Sequence, residues 1–181
     1  GSSWTWRGSE RLTAAARAPH IHWPMSSIVG IDLGTTNSLI GLMEAGFPIL
    51  IADPDGQRLT PSVVHFPENG DPIVGRAASR MRAVDPRHTV YSIKRFMGRR
   101  VGEEADDVDY PLAGDRGQPV AVDVRGQRRT PEEISALILR KLKANAEGAL
   151  GAPVHEVVLS VPANFPDAAR AATLHAGELG A

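Results

Sequence analysis

Residues 28–38 read IVGIDLGTTNS, an apolar run that breaks at Asp32 and Gly34 into Thr35, Thr36, Asn37 and Ser38. A second apolar run, Ser38 to Met43, follows at once, with Leu39, Ile40 and Leu42 in it. Short apolar runs bounded by turn residues predict strands, here covered on both faces. A glycine turn between two strands can present consecutive backbone N–H groups in a concave nest, which attracts phosphate oxygens without a helix terminus. Thr35, Thr36 and Ser38 add hydroxyl donors. Asp32 places a carboxylate where a phosphate-bound Mg²⁺ and its waters can sit. The same residues also describe a plain hairpin with a satisfied aspartate, and spacing alone does not choose between the two.

The rest of the chain narrows the classes. Its 181 residues are 42% hydrophobic and 23% charged, ordinary for a globular protein long enough to bury a core. A formal net charge of -1 supplies no pull towards nucleic acid or an anionic membrane. With no cysteine, disulfides, thiolate metal sites and cysteine nucleophiles are all excluded, which fits a reducing compartment. No apolar run approaches the roughly 18 residues of a membrane span, so a soluble intracellular protein is expected. Residues 1–24 carry Arg7, Arg11 and Arg17 against Glu10 without periodicity. They are read as a non-core tail, either upstream translated sequence or an expression remnant, with an organellar transit peptide as the alternative. The patterned part begins at Met25. His20 and His22 are a solvent-exposed pair on this reading.

Phe47 to Ala52 is a third apolar run, and DPDGQ (53–57) a turn, so the first three strands form a meander. PSVVHF (61–66) reads as a further strand, and 76–84 as a helix ended by Asp85-Pro86. HTVYSIKRFMGRR (88–100) has a short helical pattern with Val90, Ile93, Phe96 and Met97 on one side. Residues 101–119 are polar and turn-rich, an expected exposed excursion, and VAVDV (120–124) opens a hairpin. Thr130-Pro131-Glu132-Glu133 is a helix start with capping box and N1 proline. Gly148 or Gly151 ends that helix. Residues 154–163 form a buried-type strand, and an alanine-rich helix follows NFPD.

Neither G-x-x-x-x-G-K-[ST] nor a strand–G-x-G-x-x-G–helix unit occurs. Lys94 lies inside an apolar pattern, where lysine is seldom buried without a role; a surface lysine is the alternative. His65, His88, His155 and His175 are scattered singly, so no metal cluster or Ser-His-Asp arrangement emerges.

Five blocks carry a resemblance: IVGIDLGTTNS, GQRLTPSVV, TVYSIKRFMGR, TPEEISALILRKLK and VVLSVPANFPDAARAAT. In this order and spacing they resemble the Hsp70, or DnaK-like, chaperones over Met25 to Ala181. DLGTT alone also fits sugar kinases and actin-like filament proteins; TPSVV, KRFMGR and VPANF favour Hsp70. The resemblance implies an α/β fold of the actin-like, ribonuclease-H-like ATPase type: an incomplete first lobe with an inserted mixed α/β subdomain at about 61–129. It implies an ATP-binding part of a chaperone that couples ATP hydrolysis to protein folding, with ATP/ADP and Mg²⁺ as cofactors. Gly34, Thr35, Thr36 and Asn37 would form a phosphate loop, with Thr35 directed at the γ-phosphate. Asp32 would hold Mg²⁺ through water, and Lys94 would reach the γ-phosphate and place the attacking water. Pro162 and Arg170 match the family's interdomain proline switch and arginine relay. Unfolded clients, a J-domain co-chaperone and a nucleotide-exchange factor are the implied partners, with no nucleic acid and no membrane. The implied location is the cytoplasm of a bacterial-type cell, or an organellar matrix.

Asn164 stands where the family carries an aromatic, and Pro166 where it has a polar helix-start residue, so both departures fall in the relay. The resemblance also implies that the lobe continues past Ala181 into a second phosphate loop, the adenine site and a peptide-binding domain. The isolated chain is therefore expected to be inactive or weakly nucleotide-binding. Two alternatives are a non-catalytic fragment that binds co-chaperones and another superfamily member such as a sugar kinase.

Overall fold

The computed structural model describes residues 28–103 and 107–181; the tail 1–24, its histidine pair and Met25 lie outside the described residues. β1 (Ile28–Asp32) and β2 (Asn37–Glu44) pair antiparallel, with Val29 opposite Leu42 and Ile31 opposite Ile40. Ala45 and Gly46, both at positive φ (49° and 86°), turn the chain into β3 (Phe47–Leu50). Two left-handed residues are what a two-residue hairpin turn of primed type requires. β4 (Thr60–Pro61) pairs with the start of β2. The predicted meander is present.

A three-stranded sheet follows, with β5 (Val63–His65) between β6 (Ile73–Val74) and β7 (Thr89–Tyr91), and with α1 (Arg76–Met81) packed on it. β8 (Leu112–Ala113), β9 (Ala121–Val124) and β10 (Gln127–Arg129) form another three-stranded sheet. α2 (Pro131–Leu150) then crosses back. Thr130 and Glu133 close the reciprocal capping box, and Gly151, at φ 65°, ends the helix. Ile134, Ile138 and Leu142 form its fully buried stripe, each worth about 1.5–3 kcal/mol of transfer free energy. β11 (Glu156–Ser160) adds parallel to β1, giving the order β11-β1-β2-β3. α3 (Asp167–Gly180) packs on α2, where Gly180 lies so close that an added Cβ would stand 3.1 Å from Leu139 Cβ.

Three expectations are corrected. The β1–β2 sheet is not covered on both faces: Val29, Ile31, Ile40 and Leu42 are buried, but Ile28, Met43 and Val158 are 52%, 65% and 60% exposed. Among the described residues, α2 and α3 close one face only; Gly30 and Gly41 on the other break the apolar run without adding bulk. β11, expected buried, is likewise exposed except at Leu159. Residues 88–100 are not one short helix. They form β7, a left-handed Ser92 (φ 54°) and a 3-10 turn at Ile93–Phe96. Val90, Ile93, Phe96 and Met97 are buried all the same, because a strand followed by a tight turn satisfies the same apolar spacing. The described residues of the 101–119 excursion, by contrast, are largely exposed as expected, with one anchor: the buried Tyr110 donates its hydroxyl to the Tyr91 carbonyl at 2.6 Å and sets its ring edge-on to Tyr91.

Candidate functional site

β1 and β11 are parallel neighbours, so Asp32 and Ser160, their last residues, emerge at the same end of the sheet. Carboxyl ends of parallel strands are where open α/β sheets place their ligands. The Ser160 hydroxyl donates to Asp32 Oδ1 at 3.1 Å, and the carboxylate stays exposed.

The 33–36 loop starts from this end, and a three-bond circuit holds it from below. The Gly34 N–H donates to Ser38 Oγ (3.2 Å), Ser38 Oγ lies 2.8 Å from Ser62 Oγ, and Ser62 donates to the Gly34 carbonyl at 2.8 Å. A hydroxyl has one proton, so Ser62 spends its own on Gly34 and the Ser38 hydroxyl donates to Ser62. The Ser62 N–H adds a bond to the Thr36 carbonyl. Both serines are buried. Gly34 is needed for lack of room rather than for its φ: a Cβ there would stand 2.0 Å from the Asn37 carbonyl oxygen. Gly34 and Thr35 are left half-buried, and Thr36 and Asn37 exposed. Ser38, expected to offer a ligand-facing hydroxyl, instead points inward. Ser62 lies inside the TPSVV block, but a buried serine in a β-run carries no local signal of a partner 28 residues away.

Lys94 comes from the 3-10 turn. Ile93 and Phe96 beside it are buried, while Lys94 is half-buried, its ammonium 5.4 Å from the Phe165 ring centroid. Among the described residues it makes no ion pair. Gly98 (φ 69°) abuts the first turn of α3, where a Cβ would fall 2.5 Å from Ala168 C. The structure thus joins Asp32 to Ser160 and Lys94 to Phe165, the two ends of one short segment after β11. On that segment Pro162 is exposed, and its carbonyl accepts the Phe165 N–H at 3.0 Å. Arg170, also exposed, lines an apolar groove of about 690 Å³ between β11, α2 and α3, with Leu139, Val157, Leu159 and Leu174. The groove lining includes neither Gly34–Asn37 nor Lys94, so the polar chemistry lies outside it.

A second polar network braces the root of the Lys94 turn. His65 Nδ1 is 2.9 Å from Thr89 Oγ1, and Thr89 donates to the Asp85 carbonyl at 2.6 Å. With the threonine proton so used, His65 donates from Nδ1. Asp85 binds His88 Nδ1 (2.7 Å) and Arg125 Nη2 (3.0 Å), and Arg125 Nε donates to the Phe66 carbonyl. Burial lowers the His65 pKa, against the opposing charge of Asp85. Burial alone would raise Asp85, but the His88 hydrogen bond and the His88 and Arg125 charges hold it below the usual carboxylate value. Among the described residues no group of three or more histidines and carboxylates is placed to cage a metal, and no helix is long and apolar enough to cross a membrane.

A sheet of mixed sense with helices packed on it and a Gly-Thr-Thr loop beside an aspartate are consistent with the actin-like ATPase fold that Hsp70 family membership implies. The chain belongs to the Hsp70 family, whose model, described as Hsp70 protein, matches residues 28–181. It is similar to "Chaperone protein dnaK1" of the cyanobacterium Synechocystis sp., 48% identical over 158 residues. That alignment covers 86% of this chain and 23% of the relative, so the chain spans about a quarter of the length of the curated relative it matches.

Proposed function

We propose that this chain forms the phosphate-side wall of an ATP site in an Hsp70-type chaperone. The observation that carries the reading is convergence: the exposed Asp32 carboxylate, the braced 34–37 loop and the segment bearing Lys94's ring contact all leave the carboxyl end of the β1–β11 pair. The donor set fits a polyphosphate with a hydrated cation: hydroxyls at Thr35 and Thr36, an ammonium that makes no ion pair among the described residues, and one exposed carboxylate. Mg²⁺ keeps several waters and takes one or two carboxylates plus phosphates, so a single aspartate acting through water is sufficient. When bound, the ion supplies charge neutralisation to the phosphates.

The residues' own roles follow. Gly34, Thr35, Thr36 and Asn37 hold the terminal phosphates, with Thr35 directed to the γ-phosphate. Asp32 orients the ion's waters. Lys94 acts as a point charge on the γ-phosphate and positions the attacking water, since phosphoryl transfer depends mostly on placement and electrostatics. Pro162 and Arg170 relay nucleotide state. In the whole chaperone the partners on this reading are unfolded clients, a J-domain co-chaperone and a nucleotide-exchange factor, in the cytoplasm. Residues 25–181 act as one part of the nucleotide-binding domain, with 61–129 as its inserted subdomain.

Calorimetry on this chain with Mg-ATP and Mg-ADP tests the reading. Weak binding of both is expected, with a preference for ATP that Lys94→Ala reduces about tenfold or more, the scale of a lost charged hydrogen bond. Equal ATP and ADP affinities unchanged by Lys94→Ala would overturn it. Slow or undetectable turnover is expected of this chain alone; turnover at a rate typical of an intact chaperone would contradict that part.

A further inference from the structure

We infer that Phe165 is a positioning residue for Lys94: its ring seats the ammonium so that the lysine is already ordered when a γ-phosphate arrives. The inference rests on the phosphate-wall reading and adds a residue to it. Lys94 Nζ lies 5.4 Å from the ring centroid, inside the roughly 6 Å over which an aromatic face attracts a cation. A lysine has about 2 kcal/mol of side-chain rotamer entropy to lose on ordering. A contact that restricts it beforehand lowers the cost of binding, which is the general effect of preorganisation. The ring engages one side of the ammonium and leaves the other N–H groups for an anion.

The seat itself is held from three directions. Its N–H donates to the Pro162 carbonyl at 3.0 Å, closing the 162–165 turn. Pro166 follows it, and a residue before proline is restricted to extended backbone; Pro166 itself sits at φ -57° as the residue preceding α3. Gly98 then locks the Lys94 turn against the backbone of Ala168 and Ala169, just beyond Phe165 in the chain, leaving no space for a Cβ. Ring and ammonium are thus brought together by two backbones in direct contact. Pro166, one of the two departures from the family pattern, stiffens this seat.

Phe165→Leu keeps the side chain apolar and near in size but removes the π face; Phe165→Tyr keeps the face. With this chain, the Mg-ATP to Mg-ADP affinity ratio should fall about threefold in Phe165→Leu, the scale of an accessible cation–π contact, and recover in Phe165→Tyr. A ratio is chosen because a general loosening weakens both nucleotides together. Proton NMR supplies a second reading: in the unmutated chain the Lys94 ε-methylene resonances should be shifted upfield by the ring, and Phe165→Leu should return them. If Lys94→Ala also leaves the ratio unchanged, the phosphate-wall reading fails. If Lys94→Ala lowers it but Phe165→Leu does not, or Phe165→Tyr fails to recover it, this inference alone is overturned. An unshifted Lys94 ε-methylene signal in the unmutated chain overturns it as well.

Discussion

The two sides of the candidate site are built differently. The 34–37 loop is tied to β2 and to the residue before β5 by buried hydroxyls in a closed circuit, with no free hydroxyl proton left in it. Lys94 is held by an aromatic ring and a glycine contact at the end of a 3-10 turn, half exposed. A buried polar network that is fully satisfied rigidifies its surroundings, and one with a missing member is costly. The loop is therefore a fixed cradle, and the lysine an arm whose position depends on a few adjustable contacts.

Breaking the cradle should give the largest effect. Gly34→Ala places a Cβ 2.0 Å from the Asn37 carbonyl oxygen, a backbone atom that cannot swing aside. Overpacking of this kind costs about 3 kcal/mol, and the loop must open to relieve it. Urea unfolding should show the loss, and nucleotide binding should disappear in variant protein that remains folded. A stability change within error would mean that the loop is soft and the contrast with the arm wrong.

The circuit can be tested separately from the glycine. Ser62→Ala strands the Gly34 carbonyl and the Ser38 proton, and should cost about 2 kcal/mol, the penalty of unpaired buried groups. Ser38→Ala removes a different member of the same circuit. The double variant should lose clearly less than the sum of the singles, because after the first deletion the second has less to break. Strict additivity would show two independent hydrogen bonds rather than one unit.

This contrast also marks what sequence can tell. The hairpin, the capping box at Thr130 and the position of Asp32 before a Gly-Thr-Thr turn are readable, because each depends on residues within a few places of one another. The serine circuit and the Lys94–Phe165 contact join residues far apart in the chain, and no local pattern encodes such distances. The strand-then-turn at 89–96 reads wrongly as helix because Val90, Ile93, Phe96 and Met97 satisfy a helical stripe equally well. The exposed sheet face escapes notice because a near-continuous apolar run reads as buried on both sides, whereas alternation with Gly30 and Gly41 permits one-sided burial.

The smallest expected effect separates arm from cradle by pH. The Lys94 turn follows directly from β7, and Thr89 on β7 is bound by His65, which faces Asp85, His88 and Arg125. The folded pKa of His65 lies below its ordinary 6.5, so between those two values the unfolded chain carries more protons than the folded one. Stability must then rise with pH through that window, be complete above 6.5, and fall on acidification. Asp85, held below its ordinary 3.8, has the same sign but acts only in stronger acid. Urea unfolding at about pH 7.5 and about pH 5.5, either side of the ordinary histidine value, should show a loss smaller than that of Gly34→Ala. His65→Asn, which keeps a donor near Thr89 but does not titrate, should flatten the dependence. Amide exchange should locate the loss: β5 and β7 amides open earlier in acid, while those of β1 and β2 keep their protection. Equal loss of protection in both regions would show that cradle and arm unfold as one body, and that the difference in their bonding does not extend to their stability.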